Sequence, residues 1–115
     1  NQAAIGKQLL TEKKLDFINN CMKKELFKKN KSYIDDIFYS PYYKYSKLSK
    51  YRKYSSDRKP SNGMVLKAIK KWNIDVSASI FIGDKITDKI AAKKSKVKFY
   101  FKKNISLFKQ VKNII

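Results

Sequence analysis

Arg58-Lys59-Pro60 and Gly83-Asp84-Lys85-Ile86-Thr87-Asp88 hold the residues of this chain best suited to chemistry. The apolar run Ile80-Phe81-Ile82 ends in Gly83-Asp84, and a second acid, Asp88, lies one helical turn further on. A buried parallel strand delivers a carboxylate to its C-terminal end in this way, and open α/β sheets bind ligands at that edge. The upstream Arg-Lys-Pro adds two cations on a loop stiffened by proline. Fixed cations and carboxylates at one strand end suit a phosphate together with a Mg²⁺ ion.

The elements that must carry these groups follow from periodicity. Thr11 is a good N-cap with Glu12 behind it, and Leu15, Ile18, Met22 and Leu26 recur at helical spacing, so a helix is predicted over 12–29. Cys21 lies beside that stripe and reads as a small buried hydrophobe. Ile34 to Tyr39 reads as a strand ended by Ser40-Pro41, with Asp35 and Asp36 on opposite faces and so a poor metal pair. Residues 42–57 form a polar insertion in which Tyr42, Tyr43, Tyr45, Tyr51 and Tyr54 alternate with Lys, Arg and Ser, the pattern of a loop whose rings pack on the domain. A helix over 63–72 places Val65, Ala68, Ile69 and Trp72 on one core face. Strands are expected at 79–83 and 97–101, with a short helix over 87–94 between them. Ser106 caps a last helix bearing Leu107, Phe108, Val111 and Ile114. Strands alternating with helices imply an α/β fold, a parallel sheet with helices on both faces.

The chain has 115 residues, 43% of them hydrophobic, enough for one small domain with a core. No apolar run approaches a membrane span, and no secretory leader pattern opens the chain. The single cysteine excludes an internal disulfide and a Cys-based zinc cluster, and fits a reducing cytoplasm. Lys and Arg total 28 against 9 acids, a net charge of +19. Such a charge favours polyanions without specifying one. Because Lys, Asn, Ile and Tyr are all abundant together, AT-rich coding bias accounts for it more readily than a selected nucleic-acid surface does.

The motifs, taken in order, resemble one family. Asn1-Gln2-x-x-Ile5-Gly6-Lys7, Thr11-Glu12, Asp36-Ile37-Phe38-Tyr39-x-Pro41, Arg58-Lys59-Pro60-x-x-Gly63-Met64, Ile74-Asp75 and Gly83-Asp84-Lys85-x-x-Asp88 follow its order and spacing. The chain resembles the C-terminal two-thirds of a haloacid dehalogenase (HAD) superfamily phosphatase, in the branch holding heptose bisphosphate phosphatases and histidinol-phosphatases. The resemblance implies a Rossmann-like HAD fold and phosphoryl transfer through an aspartyl-phosphate with Mg²⁺. It casts Lys59 as the group holding the phosphoryl oxygens, Asp84 as a Mg²⁺ ligand, and Asp88 as support for the metal shell or the lysine. Arg58 and Lys85, with Asn1, Gln2 and Ala3, would contact substrate. The substrate implied is a small phosphorylated metabolite, a sugar bisphosphate above all.

The departures from the family are equally specific. The family's nucleophile sits in an Asp-x-Asp strand upstream of Asn1, and no Asp-x-Asp occurs in these residues. The Ser or Thr that precedes Asn-Gln is also missing. The expected domain, residues 1–115, is therefore incomplete at its N-terminus, lacks the first strand of its sheet, and is inactive alone. Many members bind zinc in the insertion through Cys-x-His and Cys-x-Cys, where this chain has Ser40-Pro41-Tyr42 and Ser55-Ser56-Asp57. No zinc is expected, so the loop must be held by something else, its tyrosines being the candidates. Gln8 replaces a usual glycine. Ser95-Lys96 replaces the usual Ala-Gly and forces Lys96 towards positive φ. Two rivals stand beside the phosphatase: a non-catalytic basic module binding nucleic acid, and one half of a split phosphatase. Oligomeric state is left open.

Overall fold

The computed structural model describes residues 3–115, Ala3 through its backbone alone. The substrate contacts expected from Asn1, Gln2 and the Ala3 side chain lie outside the described residues. The chain divides into two compact units, Asn1–Ser55 and Ser56–Ile115.

In the first unit, a short helix α1 (Ala3–Gly6) precedes α2 (Glu12–Asn30). Thr11 caps α2 as expected, its hydroxyl accepting from the Lys14 amide at 3.2 Å. The helix stops where Lys31 turns left-handed (φ 54°) and its amide returns to the carbonyls of Leu26 and Phe27. Lysine thus does here what glycine usually does at a helix end. The core of this unit is Ile5, Leu15 and Tyr51, flanked by Leu10, Tyr39, Tyr42 and Leu48.

That core covers only the first turns of α2, which corrects two expectations. Ile18 is 51% exposed, and Cys21 is exposed rather than buried. The apolar stripe marks the face of α2 that could pack, but the neighbours within this unit end near Leu15. Residues 34–39 form no strand either. A strand exists only with a ladder partner, and the first unit has none among its described residues. The segment is pinned by side chains instead: the Asp36 carboxylate accepts from the Ile37 amide at 2.8 Å, and the Tyr39 hydroxyl donates to Glu12 at 3.1 Å. The 42–57 insertion folds around one 3₁₀ turn, Ser49–Tyr51.

The second unit is built on β1 (Ile80–Gly83), α4 (Ile86–Lys94) and β2 (Lys98–Phe101), preceded by α3 (Gly63–Trp72) and followed by α5 (Leu107–Ile114). The two strands are parallel, with Ile80 opposite Lys98 and Gly83 opposite Phe101. Parallel strands need a crossover, and α4 supplies it, packing on both strands through the fully buried Ala91 and Ala92. Lys96 has φ 58°, as its place in the turn before β2 requires. Gln8, the other residue standing for a glycine, also has positive φ (62°). Trp72 is 50% exposed at the last turn of α3, with the Lys71 ammonium 5.6 Å from its ring, so it is not the core residue its periodicity implied. Gln110 ties α5 to the sheet: its amide donates to the Phe101 carbonyl at 2.7 Å and its oxygen accepts from the Lys103 amide at 2.8 Å. No described helix is long and apolar enough to cross a membrane.

Candidate functional site

β1 ends at Gly83, and the chain turns at once into α4, so Asp84 and Lys85 sit at the C-terminal strand edge. Gly83 is needed there for space. A Cβ on it would lie 2.6 Å from the Asp88 carboxyl carbon, far inside van der Waals contact. The glycine lets the buried Asp88 side chain, 2% exposed as a residue, fold back from the first turn of α4 against the strand end.

Both oxygens of Asp88 are engaged. Oδ2 accepts from the backbone amides of Asp84 at 3.1 Å and Lys85 at 3.0 Å. Oδ1 accepts from the Lys59 ammonium in a salt bridge. Burial pushes the Asp88 carboxyl up, but the Lys59 hydrogen bond, the two amides and the lysine's charge outweigh it and leave the group below the usual carboxylate range. Asp88 is therefore an anion at neutral pH and a fixed support. Its contacts are with the Lys59 ammonium and the two backbone amides.

Lys59 reaches this edge from a turn closed by the Ser61 amide on the Arg58 carbonyl at 3.0 Å. That turn is itself anchored on α3. The Gly63 amide donates to the Ser56 carbonyl at 2.8 Å, and a Cβ on Gly63 would lie 2.6 Å from the same oxygen. Asp57, the one insertion position left with a metal-ligating side chain, is paired with Lys67. Asn62 donates to Ser95 at 3.1 Å, which fastens the start of α3 to the end of α4. The Lys59 side chain remains 23% exposed while its ammonium pairs with Asp88.

Lys59, Asp84, Lys85 and Asp88 are thus brought together at one strand end. Asp84 and Lys85 are exposed, and Arg58 is half-buried next to Lys59 in the chain. Asp84 offers the hard oxygen a Mg²⁺ ion requires, and Mg²⁺ typically takes one or two carboxylates with substrate phosphate and water. Asp88, with both oxygens taken, does not complete a pair. Among the described residues no three His, Cys, Asp or Glu side chains cluster for a metal. Asp84 could hold a Mg²⁺ ion at this edge, and the described residues form no cage of protein ligands there.

Sequence reasoning did not single out Gly83's packing role, the Gln110 tie or the Asn62–Ser95 bond. A glycine ahead of Asp84 was visible, but the carboxylate that needs its space lies in the next element.

A family model of haloacid dehalogenase-like hydrolases matches residues 45–102, half of the chain and all of this strand edge. The chain belongs to the haloacid dehalogenase-like hydrolase family. Its similar relatives include a D-glycero-alpha-D-manno-heptose-1,7-bisphosphate 7-phosphatase of Photorhabdus laumondii, 34% identical over 88 residues, covering 76% of this chain and 48% of the relative. A D-glycero-beta-D-manno-heptose-1,7-bisphosphate 7-phosphatase of Pasteurella multocida is 41% identical over 68 residues, 56% of this chain and 35% of the relative. The enzyme of the same name from Escherichia coli K12 is 31% identical over 92 residues, 80% of this chain and 48% of the relative. This member of the family thus spans about half the length, or less, of these curated relatives.

Proposed function

We propose that this chain supplies the phosphate- and Mg²⁺-binding portion of a HAD phosphomonoester hydrolase acting on a small phosphorylated metabolite in the cytoplasm. The observation that carries the reading is Lys59, held at the end of β1 by Asp88 beside the exposed carboxylate of Asp84. A loose anionic transition state needs fixed positive charge more than covalent help from the protein. Lys59 would hold the phosphoryl oxygens, and Asp88 would keep its ammonium aimed. Asp84 would hold Mg²⁺, which when bound neutralises charge on the phosphate. Arg58 and Lys85 would contact the rest of the substrate, as would Asn1, Gln2 and Ala3. The names of the relatives support a sugar bisphosphate, heptose 1,7-bisphosphate in particular.

The aspartyl nucleophile has no counterpart in residues 1–115. We therefore expect these residues alone to bind phosphate without turnover. A Mg²⁺-dependent phosphatase assay on purified 1–115 tests this. Turnover that Asp84→Asn abolishes would show that a nucleophile has been overlooked.

One observation favours a second reading, that the chain works as one part of a split phosphatase. β1 pairs with β2 on one side, and among the described residues no strand takes its other edge. Ile80, Ile82, Leu107 and Val111 border an open groove of about 650 Å³ beside it. Parallel sheets are normally covered on both faces. A partner polypeptide bringing a strand with Asp-x-Asp would restore activity on mixing, and an unchanged assay with such a partner would count against this form. The non-catalytic basic module has weaker support. The rings of Tyr42, Tyr45 and Tyr51 already carry the chain's own lysines over them at 4.1–4.8 Å. Polyanions should bind weakly, through charge, and release with salt.

A further inference from the structure

The insertion over residues 42–57 carries five trypsin sites, Lys44, Lys47, Lys50, Arg52 and Lys53, and every one of these side chains is exposed. Its composition is that of a mobile loop. Its hydrogen bonds are those of a folded one. The Tyr43 amide donates to the Tyr51 carbonyl at 2.9 Å, and the Ser46 amide to the Tyr43 carbonyl at 3.0 Å. The Ser46 hydroxyl donates to the Gly6 carbonyl and accepts from the Leu48 amide at 3.2 Å. Gly6 permits this approach, since a Cβ there would lie 2.7 Å from the Pro41 carbonyl oxygen.

All of this converges on Tyr51, which is 7% exposed and part of the core with Ile5 and Leu15. Its hydroxyl donates to Glu12 Oε2 at 2.5 Å, while Tyr39 donates to Glu12 Oε1 at 3.1 Å. One carboxylate at the start of α2 therefore receives a phenol from the insertion and a phenol from the segment leading into it. Lys50 lies over the Tyr51 ring, 4.8 Å from its centroid, and closes the cluster from the solvent side.

We propose that Glu12 is the positioning residue of the insertion, and that its bonds to Tyr51 and Tyr39 fix residues 42–53 without any metal ion. The inference is independent of the phosphatase reading, because it concerns what holds the loop and not what the loop recognises. A hydrogen bond to a charged acceptor contributes more than a neutral one, and a deleted partner leaves the remaining buried group unsatisfied. Loss of the Glu12–Tyr51 bond should therefore be large on the scale of local opening.

Limited trypsin digestion of the full chain tests this, with cleavage after Lys44 to Lys53 scored against cleavage after Lys102 and Lys103 in the second unit. Wild type should resist in the insertion, with and without EDTA. Tyr51→Phe and Glu12→Ala should each raise cleavage there by about tenfold or more, with the Lys102 and Lys103 sites unchanged. Glu12→Gln, which keeps an acceptor, should restore part of the protection. If Glu12→Ala loses α2 by circular dichroism, Tyr51→Phe decides, because it leaves Glu12 and the helix intact. Unchanged insertion cleavage in Tyr51→Phe would overturn the proposal. So would a tenfold rise on adding EDTA to wild type, which would mean that a metal holds the loop.

Discussion

Each unit of this protein fastens a loop with one carboxylate, and the two carboxylates are used differently. Glu12 receives two phenols, both neutral, so the cluster is a closed structural knot. Asp88 receives two backbone amides and the ammonium of Lys59, whose side chain is 23% exposed. The first arrangement ends in a satisfied side chain. The second ends in a cation held in place at a strand edge, next to the exposed Asp84. Chemistry is therefore sought at Asp88 and Lys59, and loop order at Glu12. A buried acid by itself does not separate the two cases; the partner's charge and its access to solvent do.

The largest expected effect breaks the second knot. Asp88→Ala leaves Lys59 and two amides without their acceptor, and removal of one partner of a buried pair typically costs 3–5 kcal/mol. Because Lys59 is partly solvated, we expect about 3 kcal/mol. Urea titration followed through Trp72 fluorescence would measure it in the unit concerned. A loss under about 1 kcal/mol would mean that Asp88 is no more than a surface ion-pair partner.

The pH dependence sharpens the comparison, because the two knots carry opposite signs. Asp88 is held below its ordinary 3.8, so its contribution is complete above that value and is lost as pH falls through the lowered one. Tyr51 is raised above 10.0, first by its hydrogen bond to Glu12 and then by burial; Tyr39 is raised by burial and by Glu12, with Asp16 adding to it. Their contribution is complete below pH 10 and is lost as pH rises through the raised values. Amide exchange mapped by residue should show the second unit loosening first in acid and the first unit loosening first in alkali. The reverse order would mean that the shifts have been assigned to the wrong contacts.

The smallest effect lies in the first unit, where Ser40 is fully buried and its hydroxyl has no partner among the described residues. Ser40→Ala should be neutral or stabilising by up to about 1 kcal/mol. A clear loss on thermal denaturation would mean that the hydroxyl belongs to the network holding the insertion.

The two units also differ in how far they could be read from residues alone. The β1-α4-β2 run was legible because an apolar strand, a helical period and a second strand are local signals. The spacing Gly83-Asp84-x-x-x-Asp88 marked the candidate site, but not which oxygens of Asp88 are engaged, since that depends on Lys59 in a distant turn. In the first unit the failures share a cause. Periodicity names the apolar face of α2 without saying what covers it, hence the exposed Ile18 and Cys21. Residues 34–39 have strand composition but no ladder partner among the described residues of their unit. The Glu12–Tyr51 bond joins a helix start to a lysine-rich loop and follows no period.

The central claim is that Lys59 and Asp84 form a phosphate site that Asp88 keeps in shape. Titration of inorganic phosphate, with and without Mg²⁺, into ¹⁵N-labelled protein, read at the amides of Asp84 and Lys85 and at the Lys59 ammonium, tests it most directly. The account predicts saturable, Mg²⁺-enhanced shifts at these positions that Lys59→Met removes while the folded spectrum persists. Small shifts spread equally over the exposed lysines, indifferent to Mg²⁺ and unchanged in Lys59→Met, would contradict it.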